Sequence, residues 1–260
     1  MMTKIIEQHR QRRSSGLGNQ QQQVNSKDAI DALLEMQAAD TITITDDHIK
    51  AIVFFSYNVF VGGMEMTSTT LEWMMSSLIQ YPDVLKKLQA ELEAIVGRER
   101  EIQESDLKGM EYLLSVVNET LRLYPAVPLL IPHRSTEDST IDRYSIPKKS
   151  GDFVNSWALG RDPIVWKDPL EFKPERFMGK DIDFIKGKEY FDVVPFGVGR
   201  RACPGISMSF ATMNFTIAQL VHCFDWRVEG ELDINECNGA FLPRKHDILV
   251  FPSLRLPTCL

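Results

Sequence analysis

The sequence predicts a mainly helical protein with small β-sheets, and three observations carry this prediction. Apolar residues recur at helical spacing through most of residues 27–125. From Pro125 to Phe153 the pattern changes to short β-branched runs between prolines, as in "STIDRYSIP", which is typical of short strands and turns. Helical spacing returns in "ISMSFATMNFTIAQLVHCF", and the strand-like tail "DILVFPSLRLP" follows.

The N-terminal elements are a short helix, a linker and a second helix. "MMTKIIEQHRQRR" can form the first helix, whereas residues 13–26 are rich in Gly, Gln and Ser and predict a mobile linker. "SKDAIDALLEMQ" predicts a helix capped by Ser26. We therefore divide the chain into residues 1–26, a helix remnant with a flexible linker, and residues 27–260, a single domain.

The next three helices are delimited by capping residues, prolines and glycines. A long helix, expected to be largely buried, begins at the Thr45 cap and ends before Pro82. A second helix runs from Pro82 to Gly97. "SDLKGMEYLLSVVNETLRLYP" predicts a third, ended by Pro125.

The composition excludes several classes of protein. With 260 residues, 43% hydrophobic and 25% charged, the chain is that of an ordinary globular protein. Its net charge is −7 and its basic residues are scattered, which argues against a nucleic-acid partner. The four cysteines show no metal-knuckle spacing, and a reducing compartment is expected. The longest apolar stretch, residues 51–64, predicts no membrane-spanning helix, so we expect neither an anchor nor a signal within this chain.

The stretch "FGVGRRACPG", residues 196–205, places a cysteine among three glycines, two arginines and a proline. Glycines permit positive φ and close backbone approach, and the amides of the following helix point back toward the sulfur. Such surroundings suit a thiolate that binds a soft or borderline metal. The alternative is a buried cysteine that packs as a small apolar residue.

The same stretch resembles the signature Phe-x-x-Gly-x-Arg-x-Cys-x-Gly of the haem-thiolate monooxygenases, the cytochromes P-450. The fixed positions are all matched, and they are Phe196, Gly199, Arg201, Cys203 and Gly205. The resemblance implies haem b as cofactor, with Cys203 as axial iron ligand and Arg201 as partner of a haem propionate.

Two further motifs follow the same family. "ETLR" resembles its Glu-x-x-Arg pair, and "FKPERF" resembles its Pro-Glu-Arg-Phe segment. This implies a buried structural charge cluster of Glu119, Arg122 and Arg176, although the spacing of Glu119 and Arg122 alone favours a surface pair. "LLIPHRSTED" resembles the strand from which, in this family, a His or Arg side chain binds a haem propionate. His133 fits this position best and Arg134 second, against the alternative of a surface histidine.

The long helix carries "GGMEMTSTT", which resembles the oxygen-activation motif Ala/Gly-Gly-x-Asp/Glu-Thr-Thr. Gly62 and Gly63 each cost about 1 kcal/mol relative to Ala in a helix, so a flat cofactor face would explain them. Glu65 takes the acidic position, but Met66 stands where the first Thr is usual. Thr67 is the next hydroxyl, turned by about 100° around the helix. The resemblance implies Glu65 and Thr67 as the proton relay.

The resemblance implies a plant-type monooxygenase that inserts one atom of O2 into a small hydrophobic metabolite, with electrons from NADPH through a reductase. The full-length family member would lie at the endoplasmic reticulum membrane, on the cytosolic face. The matched motifs belong to the C-terminal half of the family fold, so we expect a partial chain. The implied substrate-lining residues are Asn58, Gly62, Met66, Val127, Leu129, Leu130 and Phe241.

Two other functions stay open on the sequence. One is a haem-thiolate enzyme that rearranges or dehydrates an already oxidised substrate without activating O2, which Met66 would favour. The other is a truncated haem-binding fragment without activity.

Overall fold

The computed structural model describes residues 2–14, 28–39, 43–180, 182, 184 and 191–256. The chain divides into two compact units, Met1–Gly63 and Met64–Leu260, with the boundary inside a long helix. The helices are α1 Met2–Ser14, α2 Ala29–Ala38, α3 Asp46–Gln80, α4 Pro82–Val96, α5 Glu111–Leu123, α6 Ser156–Leu159 and α7 Ile206–Cys223. The strands are β1 His133–Arg134, β2 Ser139–Ile141, β3 Tyr144–Ile146, β4 Gly151–Asp152, β5 Phe224–Val228 and β6 Val250–Leu254.

The first unit packs α1, α2 and the start of α3 around three buried side chains, Ile6, Leu34 and Ile49. Helix α1 continues through Ser14, so it includes the first two residues of the predicted linker. The rest of that linker, residues 15–26, lies outside the described residues.

The N-terminal cap of α2 differs from the sequence prediction. The cap is Asp28 and not Ser26, because one Asp28 carboxylate oxygen accepts from the amides of Ile30 and Asp31, each at 2.9 Å. A carboxylate at this position satisfies two amides that the helix leaves unpaired.

Helix α3 has the predicted length but not the predicted burial. Its first turn is capped by Thr45, whose hydroxyl accepts from the His48 amide at 3.3 Å. Residues 69–78 are mostly buried, but Phe54, Phe55 and Phe60 are 61%, 67% and 66% exposed. The prediction of a largely buried helix is therefore wrong for residues 51–64. An apolar pattern predicts burial only where another element covers it, and no described segment covers these side chains.

Helix α3 also meets the length and composition criteria of a membrane-spanning helix. It contains an 18-residue window of mean hydropathy 1.2, of which 6% is buried. The sequence prediction of no membrane-spanning helix concerned the apolar stretch 51–64 alone, and it stays a prediction. Core helices of soluble proteins meet the same criteria, so these alone place no part of the chain in a membrane.

The second unit is built around one main core in which four helices take part. The second half of α3 packs with α4, α5 and α7. The most deeply buried apolar side chains are Trp73, Met74, Leu78, Leu88, Leu92, Val116, Val117, Ile217, Ala218 and Val221.

The predicted helix over residues 105–125 is divided in the structure. A 3-10 helix at Glu104–Leu107 precedes α5, and Gly109 between them has φ +91°. A positive φ ends regular helix, which explains the break. Helix α5 is then capped from another helix, because the Glu91 carboxylate of α4 accepts from the amides of Tyr112 and Leu113 at 2.7 and 2.8 Å.

The predicted small sheets are three antiparallel two-stranded pairs. β1 pairs with β4, β2 with β3 and β5 with β6. The last pair joins the end of α7 to the strand-like tail, with Phe224 opposite Leu254. The predicted strands after Pro125 and in the tail are confirmed.

Candidate functional site

The cysteine loop, residues 196–205, is shaped by two glycines in the left-handed region. Gly197 has φ +69° and Gly199 φ +76°, which side chains with a Cβ rarely adopt. The Cys203 amide donates to the Phe196 carbonyl at 2.9 Å and closes the loop. The backbone conformation thus fixes the position of Cys203 at the end of the loop.

Cys203 presents a free, exposed thiol at the start of α7. Its sulfur accepts from the Gly205 amide at 3.4 Å. Arg200 and Arg201 of the same loop are exposed, and neither side chain has a hydrogen bond or ion pair among the described residues. The loop therefore offers one sulfur ligand and two unused guanidinium groups, of which Arg201 is the one that the motif indicates.

The charge cluster is assembled on α5 with full burial of its central pair. Arg122 donates to both oxygens of Glu119, through Nε at 2.7 Å and Nη2 at 2.8 Å, and neither side chain is exposed. Arg176 follows in a 3-10 helix at Pro174–Phe177, and its Nε lies 3.0 Å from Glu119 Oε1. The structure brings together the three residues that the motifs indicated.

The remaining donors of the two arginines bind main-chain carbonyls of residues 160–171. Arg122 donates to the carbonyls of Gly160, Pro169 and Glu171, the last two at 2.8 and 3.1 Å. Arg176 donates to those of residues 167, 168 and 171 at 2.9–3.3 Å. A buried cluster thereby holds a segment that has almost no regular secondary structure.

Sequence reasoning missed Gly160. A Cβ built on this glycine would lie 2.1 Å from the carbonyl oxygen of Arg122, closer than any real contact. The position therefore requires glycine because two backbone segments meet there. The glycine in "WALGRDP" was the only signal in the sequence, and a glycine alone does not reveal what approaches it.

The two candidate propionate partners in β1 differ in their contacts. The His133 side chain is exposed and has no hydrogen bond or ion pair among the described residues. Arg134 donates to the carbonyl of Lys149 at 3.4 Å. His133 thus keeps its ring nitrogens available.

Two of the predicted substrate-lining segments are adjacent. The Leu242 amide donates to the Ala126 carbonyl at 3.0 Å, which joins the turn at Phe241 to the segment that holds Val127 and Leu129. Phe241 and Leu129 are exposed, and Val127 is half-buried.

The third residue of that segment approaches the cysteine loop. Leu130 has φ +52°, and its Cδ1 atom lies 4.0 Å from the Cβ position of Gly197. The structure therefore brings Leu130 next to the loop that carries Cys203.

The α3 candidates lie on a regular helix. Gly62 and Gly63 are in the first unit, where a built Cβ would meet nothing within 4 Å. Asn58 is in the same unit, and its side-chain amide donates to the Phe54 carbonyl at 2.7 Å. No described residue fills the space beside the two glycines.

Glu65, Met66 and Thr67 belong to the second unit. Glu65 is exposed, and the other two are half-buried. The Thr70 hydroxyl donates to the Met66 carbonyl, four residues back in the helix, at 2.8 Å. The helix is α throughout Asp46–Gln80. The side chain of Thr67 therefore lies about 100° around the helix axis from that of Met66.

The donor set of the cysteine loop fits a haem. A free thiol with an open face and an amide donor suits an axial iron ligand, and an unpaired guanidinium suits a carboxylate such as a propionate. A cysteine thiolate is one of the axial ligands by which proteins hold haem iron. The family model "Cytochrome P450" matches residues 1–251. The chain belongs to the cytochrome P450 family.

Relatives support this assignment in sequence and in structure. Cytochrome P450 750A1 of Pinus taeda is 47% identical over 265 residues, covering 98% of this chain and 50% of the relative. Geraniol 8-hydroxylase of Catharanthus roseus is 40% identical, covering 96% and 49%. A zebra fish cytochrome P450 structure with progesterone has a TM-score of 0.69 and 31% identity, covering 86% of this chain and 50% of that one. The predicted fold and the plant-type family resemblance are confirmed.

The chain spans about half the length of the curated relatives it matches.

Proposed function

We propose that this chain is the haem-binding part of a plant monooxygenase that inserts one atom of O2 into a small hydrophobic metabolite. The free, exposed Cys203 thiol in its glycine loop is the observation that carries this proposal. The name of one relative, a hydroxylase, supports the same reaction type. Haem, when bound, supplies the activation of O2.

In this proposal Cys203 ligates the iron, while Arg201 and His133 donate to the haem propionates. The exposure of both basic side chains and their lack of described partners support these roles. Phe196, Gly199 and Gly205 keep the loop in shape. Gly63 stays a predicted cofactor contact on the motif resemblance alone.

The charge cluster has a structural role in the proposal. Glu119, Arg122 and Arg176 hold residues 160–171 through the carbonyl bonds described above. We assign the haem site to the single domain proposed for residues 27–260, preceded by the helix and linker of residues 1–26.

The substrate side is proposed from the adjacency of the Val127–Leu130 segment and the Phe241 turn. Asn58, Gly62 and Met66 stay predicted lining residues on the motif resemblance alone. Apolar side chains at most of these positions favour a small hydrophobic substrate. An NADPH-dependent reductase would supply electrons, and the full-length protein would act at the cytosolic face of the endoplasmic reticulum membrane.

The proton relay is the part of a monooxygenase site that this chain matches least well. A thioether at Met66 donates no proton, and the regular α3 keeps Thr67 turned away from that direction. Glu65, Thr67 or an intervening water must then carry the proton. This geometry also favours the second candidate function, rearrangement or dehydration of an already oxidised substrate without O2 activation.

The first test is the difference spectrum of the reduced, CO-bound protein after haem is supplied to residues 1–260. We expect the red-shifted band of a thiolate ligand in the wild type and its loss in Cys203→Ser. Cys237→Ser is the matched control, because Cys237 is the other free, exposed cysteine among the described residues. An unshifted band in the wild type would contradict ligation by Cys203 and would favour an inactive fragment.

The second test separates the two reactions through Met66→Thr. A monooxygenase limited by its relay should couple NADPH consumption to product more tightly in the variant, because a hydroxyl returns to the relay position. Ser68→Thr is the control, since Ser68 is an exposed hydroxyl two residues along the same helix. Unchanged coupling in Met66→Thr, with turnover that needs no O2, would favour rearrangement.

A further inference from the structure

A cleft of about 290 Å³ lies in the second unit, between the end of α5 and the loop at residues 234–236. It shares no lining residue with the proposed haem site. Its apolar wall is formed by Leu123, Leu170 and Ile234, and its polar side by Tyr124, Arg161 and Glu236.

The planar guanidinium group of Arg161 is held by a carboxylate along one edge and by an aromatic ring on one face. Its Nη2 donates to Glu236 Oε1, and its guanidinium carbon lies 4.2 Å from the centre of the Trp157 ring. Glu236 Oε2 accepts from Trp157 Nε1 at 2.9 Å, so both carboxylate oxygens of Glu236 are engaged. The guanidinium is therefore fixed by contacts that use only part of its donors.

The other edge of Arg161 is buried and unused. Only 9% of the side chain is exposed, and Nη1 is a buried atom with no hydrogen-bond partner among the described residues. Burial also lowers the pKa of Arg161, more strongly than the Glu236 charge raises it. An acceptor at Nη1 would remove the penalty of an unpaired buried donor.

Tyr124 supplies a second donor to the same cleft. Its ring stacks on Trp73 with centroids 4.1 Å apart, which fixes its orientation. Its hydroxyl makes no hydrogen bond with the described residues, and burial raises its pKa to about 12, so it stays a neutral donor. Two side chains that each keep an unused donor thus line one cleft together with the apolar wall.

We propose that this cleft binds a small carboxylate through Arg161 Nη1 and the Tyr124 hydroxyl, with an apolar group against Leu123, Leu170 and Ile234. A carboxylate is preferred to a neutral acceptor because a guanidinium hydrogen bond to an anion is about twice as strong.

The test is calorimetric titration of residues 1–260 with benzoate and with its neutral isostere benzamide. Benzoate should bind saturably, with a Kd about tenfold lower than that of benzamide. Arg161→Lys keeps the positive charge but removes the planar second edge, and it should raise the benzoate Kd about tenfold. Arg143→Lys is the matched control, an exposed arginine over the Tyr144 ring, and it should leave binding unchanged.

A second variant keeps the test decisive if Arg161→Lys fails to fold. Tyr124→Phe preserves the ring that stacks on Trp73 and removes only the hydroxyl, so it should weaken benzoate binding several-fold. The proposal is overturned if benzoate gives no saturable heat or if benzamide binds equally well. Benzoate binding that is unchanged in the folded variants would overturn it as well.

Discussion

Replacing Glu119 with Gln removes a buried negative charge that two arginines share. Glu119 Oε1 accepts from Arg122 Nη2, Arg176 Nε and the Lys173 amide, at 2.8, 3.0 and 2.7 Å. Oε2 accepts from Arg122 Nε at 2.7 Å. Gln has nearly the same shape and leaves no cavity, but it replaces one acceptor with an amide that faces donors. Two buried or mostly buried cations then lack their anion.

The expected loss in the free energy of unfolding follows from these two cations without an anion. Removing one partner of a buried ion pair costs about 3–5 kcal/mol of the free energy of unfolding. For a chain of this size, about 2–4 °C per kcal/mol converts the loss to a fall in Tm of roughly 6–20 °C. Urea unfolding followed by tryptophan fluorescence is a suitable assay, because the Trp166 ring lies 5.2 Å from the Arg122 guanidinium and 5.8 Å from that of Arg176.

The matched control is Glu111→Gln, which changes an exposed carboxylate in the first turn of the same helix. This variant should lose less than about 1 kcal/mol, since only its interaction with the helix dipole is removed. If Glu119→Gln lost no more than Glu111→Gln, the argument that the cluster depends on its shared carboxylate would be refuted.

Two further variants test the close backbone contact at Gly160 and the pH dependence of the stabilisation by Asp106. Gly160→Ala should lower the free energy of unfolding by about 1–3 kcal/mol in urea, because its Cβ would meet the Arg122 carbonyl at 2.1 Å. Gly151→Ala, where the Cβ has room, is the control, and equal midpoints would contradict the contact. The hydrogen bond from Arg100 lowers the pKa of Asp106 to about 2 from an ordinary 3.8, so its stabilisation is present above pH 4 and is lost as the pH falls to 2. The urea midpoints of wild type and Asp106→Asn should converge as the pH falls from 5 to 2. A difference between the two midpoints that stays constant over this range would contradict the stabilisation by the Asp106 carboxylate.

Most of the fold could be predicted because local signals coincide with its boundaries. Pro82 and Gly97 delimit α4 as expected, and the helix after the cysteine loop begins and ends where its apolar spacing does. Spacing also indicated that Glu119 and Arg122 share one helix face. These features depend on neighbours in sequence, and sequence patterns report such neighbours directly.

Features that depend on distant neighbours could not be predicted. The exposure of α3 around Phe54 depends on which elements cover it, and hydropathy alone carries no such information. The contact at Gly160 and the pairing of Arg161 with Glu236, 75 residues later, arise only when the chain is folded. Gly109 was visible in the sequence, yet its positive φ within a helical pattern was not.

The way in which Arg122 and Arg176 hold residues 160–171 has an evolutionary consequence. The acceptors of their guanidinium groups in this segment are main-chain carbonyls, which every amino acid possesses. Ile164 in this segment is 92% exposed, so its side chain is not needed to anchor the loop. Apart from Gly160, the outward-facing positions are free to drift in sequence while the backbone path stays the same. Related proteins can therefore change this surface without losing the cluster beneath it.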